Sequence, residues 1–225
     1  MDRVIFFIDG FNVYHSLNEY TVIKRGSTEY KFYKYRKYLC LDLRAIGEKF
    51  TRKKDKLNGV YYFSAYATWK PYSMKRHIKF VDALKNNGVN VIMGKFKDKD
   101  IYCKSCGAIW KAKEEKQTDV NIAMYLFREA LEDNYDTAII VTNDTDLVSA
   151  IHMVKNTFPK KKIGVLFPIG RWASELNTAC DFVRKIEEKH LRKCQLPDTV
   201  ILSSGIALTR PRRWTNGHKT HLRPV

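Results

Sequence analysis

Val4-Ile5-Phe6-Phe7-Ile8-Asp9-Gly10-Phe11-Asn12 is the stretch whose reading decides the fold. Five apolar residues follow one another without alternation, and a carboxylate, a glycine and an amide then arrive together. An unbroken run of β-branched and aromatic residues suits a strand buried on both faces, as in a parallel sheet. An acid at the end of such a strand stands at the carboxyl edge, where open α/β sheets place their sites. The same residues also fit a plainer role, with Asp9 capping a turn that Gly10 permits. Whether other acids reach the same edge decides between the two.

Working outward, strand patterns recur at 60–66, 89–93, 137–142, 162–167 and 181–186, and helical periodicity lies between them. A helix over 40–54 turns Leu41, Leu43, Ile46 and Phe50 inward. Pro71 and Ser73 open another, carrying Met74, Ile78, Val81 and Leu84 and ending at Gly88. A third runs from Thr118, read as its cap, to about Glu132, with Asp119, Ile122, Ala123, Leu126 and Ala130 on one face. Asp144 opens a fourth, followed by Leu147, Val148 and Ile151, and 173–180 forms a short fifth. This alternation predicts an α/β, Rossmann-like, doubly wound and mostly parallel sheet of order about 3-2-1-4-5, flanked by helices. Two stretches, about 22–38 and 94–112, interrupt the rhythm as insertions. The domain is expected to span 1–193. Residues 194–225 read as a basic, flexible tail carrying Arg210, Arg212, Arg213, Lys219 and Arg223.

Composition narrows the class. The 225 residues suffice for one large domain with a sizeable core. Lys and Arg number 41 against 24 Asp and Glu, a formal charge of +17, which favours a polyanionic partner, most commonly nucleic acid. Five scattered cysteines imply no disulfide framework and point to a reducing compartment. No signal peptide and no membrane span are expected, so the predicted location is cytoplasmic. Oligomeric state is open, a homodimer included.

The acids then converge. Asp9 follows the first strand, and Asp144 and Asp146 follow the fourth, its neighbour in that strand order. Asp119 begins the helix that leads into the fourth strand. Right-handed crossovers place all of them at one edge. Four such carboxylates repel one another unless a counter-charge is supplied. Oxygen-only ligands favour Mg²⁺ or Mn²⁺ over Zn²⁺. Beside a basic surface, the natural reaction is phosphodiester hydrolysis. No Walker-type glycine loop is present, which speaks against ATP hydrolysis. Asp9-Gly10-Phe11 lacks a second acid two residues on, which weakens an aspartyl-phosphate reading.

Three blocks carry a family resemblance: Ile8-Asp9-Gly10-Phe11-Asn12-Val13-Tyr14, Glu115-Lys116-Gln117-Thr118-Asp119-Val120 and Val141-Thr142-Asn143-Asp144-Thr145-Asp146-Leu147. In this order they resemble the NYN domain of the PIN-like nucleases, with a likeness to its LabA-like branch, over about residues 1–186. The resemblance implies a PIN-like fold and metal-dependent endonucleolytic cleavage of RNA. It implies Asp9, Asp119 and Asp144 as metal ligands, Asn12 orienting a water or the phosphate, and Asp146 assisting. Thr142 matches a small hydroxyl position near the acids and is counted with Asn12 as a substrate contact. Asn143 departs from the usual glycine, so the backbone there is expected to need a positive φ. Gly10 is expected to leave room for metal and phosphate. Two other functions stay open: a non-catalytic RNA-binding or assembly protein on the same fold, and a DNA nuclease.

Three further signals have two readings each. The Tyr and Lys/Arg interleaving at 24–38, with Lys24, Arg25, Lys34 and Arg36 as candidate phosphate contacts, suits an RNA surface or an edge hairpin. Cys103-Lys-Ser-Cys106-Gly107 is either half of a zinc site, completed by another subunit or relict, or a hairpin turn with free thiols. His15, His77, His152 and His190 stand alone and receive no chemistry.

Overall fold

The computed structural model describes residues 1–25, 28–214 and 222–224. The opening apolar run forms β1 (Arg3–Asp9), every residue of which from Val4 onward is buried. Helix α1 (Gly10–Leu17) leaves directly from its end. The insertion after it is a hairpin, β2 (Thr21–Arg25) and β3 (Thr28–Phe32). Helix α2 (Leu43–Phe50), β4 (Lys56–Ser64), α3 (Pro71–Asn86) and β5 (Asn90–Met93) follow in alternation. Gly88 ends the α3 segment at φ 76°, in the left-handed region that glycine adopts without strain.

The second insertion is a longer hairpin than the sequence suggests, β6 (Lys95–Tyr102) and β7 (Ile109–Lys116). Its strands are mostly charged, so they lack the apolar alternation that marks a strand. After it come α4 (Thr118–Leu131), β8 (Thr137–Val141), a 3₁₀ turn at Thr145–Leu147, and α5 (Val148–Thr157). Then follow β9 (Lys162–Phe167), α6 (Ser174–Ala179) and β10 (Phe182–Lys185).

Six strands form one parallel sheet in the order β10-β9-β8-β1-β4-β5. Counting only these strands along the chain, that is 3-2-1-4-5-6, the doubly wound order expected from the sequence with the sixth strand added. One buried cluster packs α1, α2 and α3 against one face through Phe6, Ile8, Leu43, Ile46, Val81 and Leu84. A second packs α4 and α5 against the other through Phe7, Ile122, Leu126, Ile151 and Val165. The central position of β1, covered on both faces, explains its unbroken apolar run. Among the described residues no helix is long and apolar enough to cross a membrane.

Three expectations need correction. The described residues from 194 onward carry packed structure where the sequence suggests a flexible tail. Helix α7 (Glu188–Lys193) leads to Leu196, and the strands β11 (Thr199–Ile201) and β12 (Ala207–Thr209) form a hairpin. Leu196 and Trp214 are buried in the core beside Val200 and Leu208. Arg210 pairs with Asp198 at 3.0 Å. The short strand β13 (Leu222–Pro224) returns to pair with β3. Lys219 lies outside the described residues. Thr118 is not the cap of α4: that position is Gln117, left-handed at φ 85°, and the Thr118 hydroxyl donates to Glu115 instead. Asn143 has no positive φ, since among the described non-glycine residues only Gln117 and Asp133 do.

Candidate active site

The carboxyl ends of β1 and β8 lie side by side, with Ile8 opposite Val141. β1 ends on Asp9, and the turn after β8 reaches Asp144 through Thr142 and Asn143. Asp9 caps α1, its Oδ1 accepting from the amides of Phe11 and Asn12 at 3.0 Å each. Its Oδ2 accepts from the Asn12 side-chain amide and from the Thr142 hydroxyl, the latter at 3.0 Å. A carboxylate has about four lone-pair sites, and these four donors occupy them. Asp9 is 2 % exposed, and burial pushes its proton affinity up against the donors that hold it down.

Thr142, wholly buried, passes the linkage on. It donates to Asp9 and accepts from the amide of Asp144 at 3.0 Å. Asp144 in turn caps the 3₁₀ turn by accepting from the amide of Asp146 at 3.0 Å. Asn12 reaches the same turn, its Oδ1 lying 3.4 Å from the amide of Asn143. Thr142 is therefore a bracket beneath the site and not a substrate contact, because substrate cannot reach it. Asn12 likewise spends its amide on Asp9 and the 143 turn.

Asp119 enters from the second position of α4, a turn before Ile122, whose buried face presses on the sheet. One ligand oxygen each from Asp119, Asp144 and Asp146 lies within 4.8 Å of the others. Among the described residues no Lys, Arg or His nitrogen is recorded in an ion pair with any of the three. Burial, then Asp144, Asp9, Glu115 and Asp146, push the Asp119 carboxyl up to about 6. Three convergent oxygen donors with no cation suit a hard divalent metal. The set has Asp119 and Asp144, implied by resemblance, together with Asp146; Asp9 lines the same cleft beside them, its oxygens engaged by the four donors.

Gly10 has a different role from the one expected. A Cβ there would stand 2.6 Å from both the Phe63 carbonyl oxygen and the Tyr62 ring. Its missing side chain admits β4, not the metal.

Asp9, Asn12, Asp119 and Asp144 line a cleft of about 540 Å³. Its lip carries residues the sequence reading did not single out. Trp69 packs edge-on against Phe96 at 4.6 Å between ring centres, and Phe96 against Phe11 at 5.4 Å. Lys113 and Lys70 stand 5.6 and 5.9 Å from the Trp69 ring centre. Deeper in, His77 lies 3.3 Å from the Tyr62 hydroxyl, and burial pulls its ring down to about 4, so it stays neutral near pH 7. Only contacts across long sequence separations assemble this wall, which is why no local motif announced it.

Of the basic candidates, Arg36 lines the cleft and lies 4.6 Å from the Tyr33 ring centre, 7 % exposed. Lys24 pairs with Glu29 at 3.3 Å, and Lys34 stands over Tyr35. Neither lines the cleft. The Arg25 side chain lies outside the described residues. Cys103 and Cys106 sit at the β6–β7 turn, and the Ser105 hydroxyl, with backbone amides of Cys106 and Ser105, pulls the Cys103 thiol down to about 6.

A family model described as the NYN domain matches residues 3–187. A 98-residue stretch is 35 % identical to a 6-hydroxy-3-succinoylpyridine 3-monooxygenase of Pseudomonas putida, covering 40 % of this chain and 30 % of that protein. A crystal structure of a protein of unknown function from Vibrio parahaemolyticus superposes with a TM-score of 0.53 at 16 % identity, over 83 % of this chain and 94 % of that one. That likeness concerns the fold.

Proposed function

The chain belongs to the NYN domain family, and we propose that it is a divalent-metal-dependent nuclease that hydrolyses phosphodiesters of unpaired RNA. The observation that carries this is the convergence of Asp119, Asp144 and Asp146 within 4.8 Å at the carboxyl edge of the sheet. Mg²⁺ or Mn²⁺ fits that donor set, and when bound supplies Lewis acidity toward a phosphoryl oxygen and toward water.

The chain's own residues do the rest. Asp9 and Thr142 lock the turn that presents Asp144 and Asp146. Lys70 offers charge to phosphates, and the formal +17 of the chain draws a polyanion toward it. Trp69 and Phe96 offer faces and edges to a splayed base, which a duplex keeps stacked. RNA over DNA, and internal cleavage over end trimming, follow the family resemblance.

The test uses matched RNA and DNA oligonucleotides, single-stranded and duplex, with Mg²⁺, Mn²⁺ or EDTA. Metal-dependent internal cleavage of single-stranded RNA, lost in Asp144→Asn, is expected. Cleavage unchanged in that variant would overturn the assignment. Binding without cleavage by the wild type would leave an RNA-binding protein on this fold.

A second reading has its own support. The Pseudomonas putida relative is named a monooxygenase of a pyridine, and the floor of this cleft is apolar, with Leu39, Leu41, Leu43, Phe80 and Trp214. Conversion of a hydroxypyridine, with no cut in any oligonucleotide, would favour it.

A further inference from the structure

Hairpin β6–β7 has two ends of different character. Its base lines the cleft through Phe96, Lys113 and Glu115. Its shaft is polar, with Lys99 paired to Glu114 and Lys113 to Asp98 across the strands. Its tip lies about 20 Å from Phe96, at ~3.4 Å per residue, and is apolar and exposed. Tyr102 is 63 % exposed, Ile109 69 % and Trp110 51 %. Tyr102 and Ile109 face each other as the last pair of the ladder. Three large apolar side chains in water at the end of a charged arm call for a cover.

The turn between them is built around sulfur. The Cys103 amide donates to Ala108 O at 2.8 Å, and the Gly107 amide to Cys103 O at 2.9 Å. Gly107 has φ 72°, which lets the chain turn back under the loop. The Cys103 sulfur lies 3.1 Å from the Ser105 hydroxyl, and backbone amides of Cys106 and Ser105 also point to it. Amides that converge on a sulfur favour a thiolate. The Cys106 thiol also bonds to it, so both sulfurs stand together, and no disulfide joins them.

Two thiolates are half of the four-coordinate tetrahedral set that zinc takes in structural sites. Cys40, Cys180 and Cys194 are buried elsewhere. Among the described residues, the one cluster of three or more His, Cys or acid groups close enough to share an ion is the aspartate set in the cleft. The described residues do not supply the other half, and a second copy of the chain does. A two-fold axis through the tip brings in an identical pair, and closed pairs of this kind are the commonest assembly of like chains. The same axis sets the exposed Tyr102 and Ile109 of the two copies against each other.

We propose that two copies of this chain join hairpin tip to hairpin tip around one zinc ion, held by Cys103 and Cys106 of each. Soft thiolates select zinc over the hard cations that the carboxylates of the cleft prefer. The pairing leaves both clefts open and holds them at the ends of two stiff arms, so a dimer would present two sites to one strand of substrate. The joint itself does not depend on what the cleft does.

Zinc content and light-scattering mass of the full-length chain, compared with Cys103→Ser/Cys106→Ser, test this. The expected wild-type mass is twice that of the monomer, with one thiol-dependent zinc per two chains. Chelation or the double substitution should return the mass to that of the monomer. Cobalt in place of zinc should show the charge-transfer and ligand-field bands of a tetrahedral four-thiolate centre. Ile109→Lys, which keeps the thiols but charges the cover, should weaken the dimer at least tenfold. A zinc-loaded wild type at monomer mass would overturn the proposal. So would one thiol-dependent zinc per chain, or a dimer that survives chelation and the double substitution.

Discussion

Asp119→Asn should make the metal-free protein more stable, although it removes a residue from the heart of the site. In the folded chain its carboxyl is raised from 3.8 to about 6. An acid raised on folding binds its proton more tightly in the native state, so metal-free stability is fullest below 3.8 and falls as pH rises through about 6. Taken at face value the displacement corresponds to about 3 kcal/mol. Asp119 is partly exposed, so solvent screening reduces this to roughly 1.5 kcal/mol. Its place in the first turn of α4 gives back about 0.5 kcal/mol through the helix dipole, which Asn forgoes. The net gain at pH 7.5 is about 1 kcal/mol, or ~2–4 °C in Tm for a chain of this size.

Melting curves in EDTA from pH 3.5 to 8 should show that advantage appear above pH 4 and level off above pH 6. With Mn²⁺ at a hundredfold excess over its Kd, the wild type should gain about 2.7 kcal/mol. The variant should gain far less, so their order reverses. If Asp119→Asn melts below the wild type in EDTA at pH 7.5, or both respond alike to Mn²⁺, the carboxylates do not form the repelling, metal-hungry cluster described.

Other outcomes can be checked directly. Gly10→Ala forces a Cβ to 2.6 Å from the Phe63 carbonyl oxygen and the Tyr62 ring, so urea unfolding should show a loss of about 1–3 kcal/mol. Thr142→Val keeps the volume but leaves the Asp144 amide without its partner and one Asp9 oxygen with only the Asn12 amide, a loss of about 1–3 kcal/mol with cleavage reduced. Thr142→Ser should restore most of both. Trp69→Ala should weaken single-stranded oligonucleotide binding in EDTA by about 1–3 kcal/mol, read by fluorescence anisotropy. Trp69→Phe should recover most of that, and equal loss for a duplex would refute stacking.

The sheet was legible because parallel strands buried on both faces cannot hide. The runs at 4–8 and 137–142 admit no helix, and their acids mark where they end. The order of strands followed from alternation and handedness, and with it the meeting of Asp119, Asp144 and Asp146. Other features depend on contacts that local sequence does not encode. That Asp9 is held by a hydrogen bond from Thr142, 133 residues away, is one of them. The strands of β6–β7 are held by cross-strand ion pairs, so charge alternation conceals them. Residues 194–214 carry no period because isolated side chains, Leu196, Val200, Leu208 and Trp214, do the packing one at a time. Trp69 and Phe96 gain a role only through their meeting at the cleft lip.

The bracket of Asp9, Thr142 and Asp144 has a consequence for the chain's life before it is finished. A ribosome-bound chain carries Asp9 long before residue 142 exists, and its β1 has no β8 beside it. Without that neighbour Asp9 has neither the Thr142 donor nor a turn to fix, and the three carboxylates have nothing to gather around. The centre therefore comes into being only with the last additions to the middle of the sheet. A protein that cuts RNA would by this means stay harmless to the message from which it is being read.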